Sequence, residues 1–173
     1  IPGDSIQRKK YLKAVQVAVD QPAAAGSNLE FLRRTTKAAV SSSEALKRVG
    51  QNYQPATAYP FSSLANQLKL VAQMIASDFG PRVYFVSHGG FDTHSQQTAA
   101  HNTLLNELSS SVTAFVRDIQ GHGLGDRVNV LTFSEFGRRV KENGSLGTDH
   151  GAASQMFAIG KKVNGGIIGK HPS

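Results

Sequence analysis

A chain of 173 residues is long enough for one compact domain with a real core and leaves little room for two. Its 39% hydrophobic and 18% charged residues exclude intrinsic disorder, no apolar run reaches the roughly 20 residues of a membrane-spanning helix, and the absence of cysteine excludes disulfides and thiolate metal sites. The net charge of +7 favours acidic partners, but nucleic acid is a minor option because the basic residues lack interleaved aromatic side chains.

The region 1–80 has the spacing of amphipathic helices. Apolar residues recur every three or four positions in three stretches, which predicts helices near residues 5–19, 28–49 and 62–78. Asn28 or Ser27 can cap the second helix and Ser62 or Ser63 the third, since a side-chain oxygen at the N-cap can accept a hydrogen bond from the first helical turn. We therefore expect a helical N-terminal region.

The region 81–173 alternates strand and helix signals. A β-branched and aromatic run at residues 83–86 predicts a buried strand, residues 96–120 carry a wide apolar stripe typical of a helix, and residues 128–133 predict a second strand. Such a βαβ unit has a right-handed crossover, which makes its two strands parallel. With a third strand at residues 155–159, the expected fold class is α/β, with a mostly parallel sheet flanked by helices.

Three polar clusters follow or neighbour the predicted strands. They are GGFDTH at residues 89–94, SEFGRR at residues 134–139 and GTDHG at residues 147–151. Ligands of open parallel sheets bind beyond the carboxyl ends of the strands, where the first two clusters are expected. The carboxylates and imidazoles of the clusters can therefore converge on one edge of the sheet, as in a metal-dependent catalytic site.

The spacing of the acidic and histidine residues points to a divalent metal ion. Asp92 and His94 are two positions apart, so in extended backbone both side chains lie on the same side and can bind one ion. Asp149 and His150 are adjacent, so they can serve two ions, or one can bind while the other orients. Oxygen and imidazole ligands suit zinc, manganese, magnesium or calcium, and the histidines favour zinc or manganese.

Glu135 is followed closely by Arg138 and Arg139. Either arginine can pair with Glu135 or hold an anionic substrate through two parallel hydrogen bonds. A metal ion at the same edge would polarise a phosphoryl or sulfuryl oxygen. The reaction class that follows is ester hydrolysis or transfer at phosphorus or sulfur.

Each of these residues also has a structural interpretation. Asp92 can cap a turn or the following helix, and His94 alone is typical of a surface position. Glu135 can form a structural ion pair with a neighbouring arginine, and Asp149 lies in a glycine-rich segment of ordinary loop composition. Spacing alone leaves both interpretations open.

The ordered set of motifs resembles a known family. The motifs are GFDTH at residues 90–94, TFSEFGR at 132–138, NG at 143–144, GTDHG at 147–151 and VNGG at 163–166. They resemble the bacterial family catalogued as domain of unknown function 1501, a branch of the alkaline phosphatase and sulfatase superfamily. The resemblance covers about residues 82–169, and the helical first half is similar to the insert or cap region of the same family.

The resemblance implies an alkaline-phosphatase-like domain of which this chain is the C-terminal part. It implies that Asp92 and His94 bind one ion, that Glu135 is an acidic ligand, and that His150 with Asp149 forms the final histidine position. It places the nucleophile on a strand that precedes this sequence, so the chain by itself is expected to be catalytically incomplete. Family members commonly carry an export signal, which implies a periplasmic or secreted protein.

Two functional hypotheses follow. The first is a metal-dependent hydrolase acting on an anionic small-molecule or carbohydrate ester, with Glu135 as ligand or general base and Arg138 holding the anion. Its metal ligands would be Asp92, His94, Glu135, Asp149 and His150. The second is a non-catalytic secreted binding module that holds an anionic polymer or an assembly partner on its basic surface. Stoichiometric bound metal distinguishes the first hypothesis from the second.

Overall fold

The computed structural model describes residues 5–172 and divides the chain into two compact units. The first unit ends at Tyr53, and the second begins at Gln54. All three polar clusters belong to the second unit, which therefore carries the candidate site. Within residues 5–172, no helix combines the length and the apolar character needed to cross a membrane.

The first unit is a pair of packed helices. They are α1 (Ser5–Val19) and α2 (Asn28–Asn52), and both confirm predicted helices. The Ser27 hydroxyl caps α2 by accepting a hydrogen bond from the Glu30 N–H at 3.1 Å, as the sequence predicts. The Glu30 carboxylate in turn accepts a hydrogen bond from the Gly26 N–H at 2.6 Å. The side chains of Ser27 and Glu30 thus fix where α2 begins.

The core of the second unit lies between two helices, α3 (Ser63–Ala76) and α4 (Gln97–Gly121). Both helices confirm their predictions, and the Ser62 hydroxyl caps α3 by accepting from the Ala65 N–H at 3.0 Å. The buried apolar side chains come from both helices: Leu64, Ala65, Leu68, Ala72, Ala114, Phe115 and Ile119. Burial of these stripes is the main favourable contribution to the stability of the unit.

A fully buried carboxylate joins this core to the loop before α3. Asp118 of α4 accepts hydrogen bonds from the Ala56 N–H at 2.7 Å and from the Tyr59 hydroxyl at 2.8 Å. A buried polar group is costly unless it is hydrogen-bonded, and these donors offset that cost. Asp118 therefore has a structural role in the helical core.

The strands after α4 are short and antiparallel. They are β1 (Val130–Leu131), β2 (Gly137–Arg138), β3 (His150–Gly151) and β4 (Ala158–Ile159). β1 pairs with β4, and β2 pairs with β3. In the second pair Arg138 lies opposite His150, so the pairing brings the second and third polar clusters together.

The predicted fold class, an α/β domain with a mostly parallel sheet of the alkaline-phosphatase type, is wrong. The strands in residues 5–172 form two antiparallel two-stranded sheets, and residues 83–86 pair with neither of them. Of the predicted strand at 128–133, two residues are paired, and their partner at 158–159 runs in the opposite direction. A helix pair rather than a sheet therefore provides the core of this unit.

The apolar run at residues 83–86 does not form the predicted buried strand, and only one of its sides is covered. Val83 and Phe85 are exposed, whereas Tyr84 and Val86 are half-buried. Phe133, next to Phe85 at 6.0 Å between ring centroids, is exposed on the same surface. A strand of a parallel sheet has both faces buried, but β-propensity by itself does not supply the neighbouring strand or the second covering layer.

Candidate metal centre

The site forms where the segment before α4 meets β3. Asp92 and His94 lie in the irregular segment that precedes α4, and His150 lies on β3. Gly147 approaches the main chain of His94 so closely that a Cβ atom there would overlap the His94 carbonyl group. A glycine at this position therefore allows the third polar cluster to contact the first.

Asp92, His94 and His150 form one compact group of possible metal ligands. Asp92 Oδ1 lies 2.9 Å from His150 Nε2 and 3.0 Å from His94 Nε2, and one donor atom from each residue lies within 4.8 Å of the others. Two ligands at about 2.1 Å from one ion lie about 3.0–3.4 Å apart for bond angles of about 90–110°. The spacing thus suits neighbouring ligands of a single ion.

A carboxylate lies on the opposite side of the His94 ring. Asp149 Oδ1 is 3.4 Å from His94 Nδ1, and the same oxygen accepts a hydrogen bond from Asn143 Nδ2 at 3.0 Å. A carboxylate that accepts the Nδ1 proton of a histidine leaves Nε2 free to bind metal. The position of Asp149 is therefore that of a residue that orients a ligand.

The His150 ring is held by stacking. Phe136 stacks on it with ring centroids 4.1 Å apart and an interplanar angle of 16°. The guanidinium of Arg138 lies 5.0 Å from the centroid of the Phe136 ring. These contacts restrict the rotation of His150 and keep its Nε2 atom near Asp92.

Arg138 is hydrogen-bonded to both segments that carry the site. Its side chain is 18% exposed, and its two Nη atoms donate hydrogen bonds to the main-chain carbonyls of Thr148 and Phe91. Its Nη2 atom also lies 3.7 Å from Asp92 Oδ1. Arg139 is much more exposed and lies 3.7 Å from Asp149 Oδ2. The two arginines thus add positive charge beside both carboxylates.

Both carboxylates of the site have lowered pKa values. The hydrogen bond with His150 is the main cause of the lowered pKa of Asp92; burial opposes it, and the interactions with His94 lower the pKa further. The hydrogen bond from Asn143 is the main cause for Asp149, followed by the one with His94. Both groups are therefore ionised at neutral pH, the form in which a carboxylate binds a cation.

The structure brings together most of the residues proposed for the site. Asp92, His94 and His150 form the ligand group, and Asp149 contacts His94. Glu135 is exposed in the bend before β2 and makes no described hydrogen bond or ion pair with this group. Its role as ligand or general base stays a prediction from the motif.

Two residues of the site have no assigned role in the sequence interpretation, Asn143 and Phe136. The Asn143-Gly144 pair is a strong turn signal, which indicates a loop but not what the Asn143 side chain contacts. Phe136 follows Glu135 without any periodic signal. Both act through contacts with residues distant along the chain, which local sequence patterns do not predict.

Comparisons with known proteins give a family match. The family model described as protein of unknown function (DUF1501) matches residues 7–173. Comparison with curated proteins and with solved structures gives no match. The matched range includes every residue of the candidate metal centre described above.

Proposed function

The chain belongs to the DUF1501 family, and we propose that it carries the divalent-metal site of a hydrolase acting on phosphate or sulfate esters. The observation that supports the proposal is the meeting of two imidazole Nε2 atoms, of His94 and His150, at one oxygen of Asp92. With Asp149 accepting a hydrogen bond from Nδ1–H, the Nε2 lone pair of His94 faces the ionised carboxylate of Asp92. That meeting is favourable when a cation lies between the two groups.

The donor atoms fit a zinc or manganese ion. Two imidazole nitrogens and one carboxylate oxygen form a set that these metals accept, whereas magnesium and calcium prefer oxygen ligands alone. Three protein ligands with an open position are typical of catalytic rather than structural zinc sites. The three ligands are exposed, so a substrate can reach them. A bound ion of this kind supplies Lewis acidity toward an ester oxygen.

In this proposal, residues of the chain bind the metal ion, orient one of its ligands and neutralise the charge of an anionic substrate. His94 and His150 hold the ion with Asp92, and Asp149 keeps a proton on Nδ1 of His94. The exposed Arg139 guanidinium offers positive charge to an anionic ester at the rim of the site. The net charge of +7 favours the approach of such substrates in general.

One observation favours a second candidate, a non-catalytic module that binds an anionic polymer or an assembly partner. Arg138, which the sequence suggests for holding the substrate anion, donates its Nη hydrogen bonds to the carbonyls of Phe91 and Thr148 instead. In such a module a bound metal ion would have a structural or binding role and not a catalytic one. A periplasmic or secreted location, implied by the family resemblance, is common to both candidates.

Metal analysis combined with ester hydrolysis tests the proposal. The full-length protein is loaded with zinc or manganese, its bound metal is counted by mass spectrometry, and hydrolysis of 4-nitrophenyl phosphate and 4-nitrophenyl sulfate is followed. We expect one tightly bound ion that is lost in His150→Ala and retained in His171→Ala, an exposed histidine outside the cluster. Metal binding without turnover of either ester favours the binding module. A wild-type protein that binds no metal overturns the proposal.

A further inference from the structure

The Asn143 side chain uses its full hydrogen-bonding capacity. Its Nδ2 group donates to the His94 carbonyl oxygen and to Asp149 Oδ1, both at 3.0 Å. Its Oδ1 atom accepts from the N–H groups of Ser145 at 2.9 Å and Gly147 at 3.1 Å. An amide has two N–H bonds and two oxygen lone pairs, so none is left over. Two acceptors at one end and two donors at the other also determine which end is nitrogen.

Main-chain hydrogen bonds join the loop that contains Asn143 to the segment that carries His94. The N–H of Gln96 donates to the Ser145 carbonyl at 3.0 Å, and the N–H of Gln97 donates to the Leu146 carbonyl at 2.8 Å. At Gly147 the loop is in direct contact with the His94 main chain. The Asn143 amide therefore lies between a rigidly held main chain and the Asp149 carboxylate.

We propose that Asn143 is a positioning residue of the metal centre, which holds Asp149 beside His94 Nδ1 so that His94 directs Nε2 toward Asp92 and His150. The inference rests on the proposed function, because it assigns a role within the same site. Its physical basis is that the nitrogen of a histidine that binds metal is selected by the hydrogen bond of the other nitrogen. Without the donor from Asn143, the side-chain partners described for the Asp149 carboxylate are His94 at 3.4 Å and Arg139 at 3.7 Å.

Two variants separate the positioning role from a role in the folding of the loop. Asn143→Asp keeps an oxygen that can accept from Ser145 and Gly147 but lacks the Nδ2 donor to His94 and Asp149. Asn143→Ala removes all four hydrogen bonds. Asn164→Ala is the control, since Asn164 is an exposed loop asparagine with no described side-chain contact to the metal centre.

The first measurement needs no metal. Nitrogen-15 NMR of the metal-free protein at neutral pH distinguishes the two tautomers of an imidazole, and it shows whether His94 carries its proton on Nδ1 in a hydrogen bond to a carboxylate. We expect a downfield, hydrogen-bonded Nδ1–H signal in the wild type and in Asn164→Ala. The signal should be lost or shifted to that of a solvent-exposed imidazole in Asn143→Asp and Asn143→Ala.

The second measurement is the zinc dissociation constant, obtained by competition with a chelator. We expect Kd to rise about 10- to 100-fold in Asn143→Asp, the range for loss of a partner that supports a metal ligand, and to stay unchanged in Asn164→Ala. An unchanged Nδ1–H signal in both Asn143 variants overturns the inference, as does an unchanged Kd in a zinc-binding protein. A changed NMR signal in a wild-type protein that binds no zinc supports the positioning role and refutes only the proposed function. Loss of folding in both variants, seen by circular dichroism, also overturns the inference.

Discussion

His150 Nε2 lies 2.9 Å from Asp92 Oδ1, although the two residues are 58 positions apart in the sequence. Antiparallel pairing of β2 with β3 carries His150 to this place, and the Phe136 ring stacked on the imidazole at 4.1 Å keeps it there. With His94 Nε2 at 3.0 Å from the same oxygen, the three residues form the candidate group of metal ligands. The predictions on metal binding follow from this arrangement.

Asp92→Asn is expected to weaken zinc binding more than about 100-fold. The change removes the negative charge at the centre of the ligand group, whereas loss of an outer-shell partner alone costs about 10- to 100-fold. Isothermal titration with zinc measures the dissociation constant. Asp126→Asn is a matched control, because its carboxylate is 62% exposed against 63% for Asp92 but pairs with Lys161. Equal effects of the two substitutions would show that zinc binds elsewhere.

Zinc affinity is expected to fall as the pH decreases from about 7.5 to about 5.5, by at least about 10-fold. Protons compete with the metal for the imidazole nitrogens of His94 and His150, so metal binding releases protons and strengthens as the pH rises. Chelator competition at a series of pH values gives the dependence. An affinity that stays constant over this range would indicate a site of carboxylates without histidine.

In the metal-free protein, Asn143→Ala is expected to raise the pKa of Asp149 toward its ordinary range. The Asn143 hydrogen bond is the largest cause of the lowered pKa, and the bond with His94 comes next. Carboxyl carbon-13 NMR measures the titration. An unchanged titration of Asp149 would mean that the amide does not stabilise the carboxylate.

The sign of the corresponding stability effect follows from the direction of the shift. Because the folded-state pKa of Asp149 is lowered, its contribution to the free energy of unfolding is present above the unfolded value of about 4. The contribution is lost as the pH falls through the lower folded-state pKa. The wild-type protein should therefore lose stability between these two values, and Asn143→Ala should show a smaller dependence on pH in that window.

Ile119→Ala is expected to lower the free energy of unfolding by about 2–5 kcal/mol, because the side chain is 2% exposed in the core between α3 and α4. Urea denaturation followed by circular dichroism gives the difference. Ile167→Ala removes the same atoms from a side chain that is 98% exposed, so its effect should stay within about 0.5 kcal/mol. Similar losses in both variants would contradict the helical core.

The exposed apolar surface near residues 83–86 is expected to bind a hydrophobic dye. Phe85 and Phe133 are exposed and their rings are 6.0 Å apart, which is the kind of patch that binds anilinonaphthalene sulfonate. The double substitution of Phe85 and Phe133 by serine should reduce the dye fluorescence, whereas replacement of Phe61, which is exposed outside this segment, should not. No change in the double variant would show that this surface is covered in solution.

The helices and the ligand types were predictable because they depend on residues close together in the chain. Helical spacing over three or four residues predicted α1 to α4, with serine caps for α2 and α3, and the two-residue spacing of Asp92 and His94 predicted that their side chains lie close together. The strand predictions were less successful. The run at residues 83–86 favours extended backbone, but its pairing depends on a partner that no local pattern specifies.

The sequence by itself determined which chemical groups are available: imidazole and carboxylate donors without thiolate, on a basic chain whose first half forms helices. Only the tertiary structure decided that the strands are antiparallel, that His150 joins Asp92 and His94, and that Glu135 does not. It also decided that the Asn143 amide donates hydrogen bonds both to the His94 carbonyl and to Asp149. The reason is that hydrophobic period and capping act within a few residues, whereas these contacts form between segments whose meeting depends on how the whole unit packs.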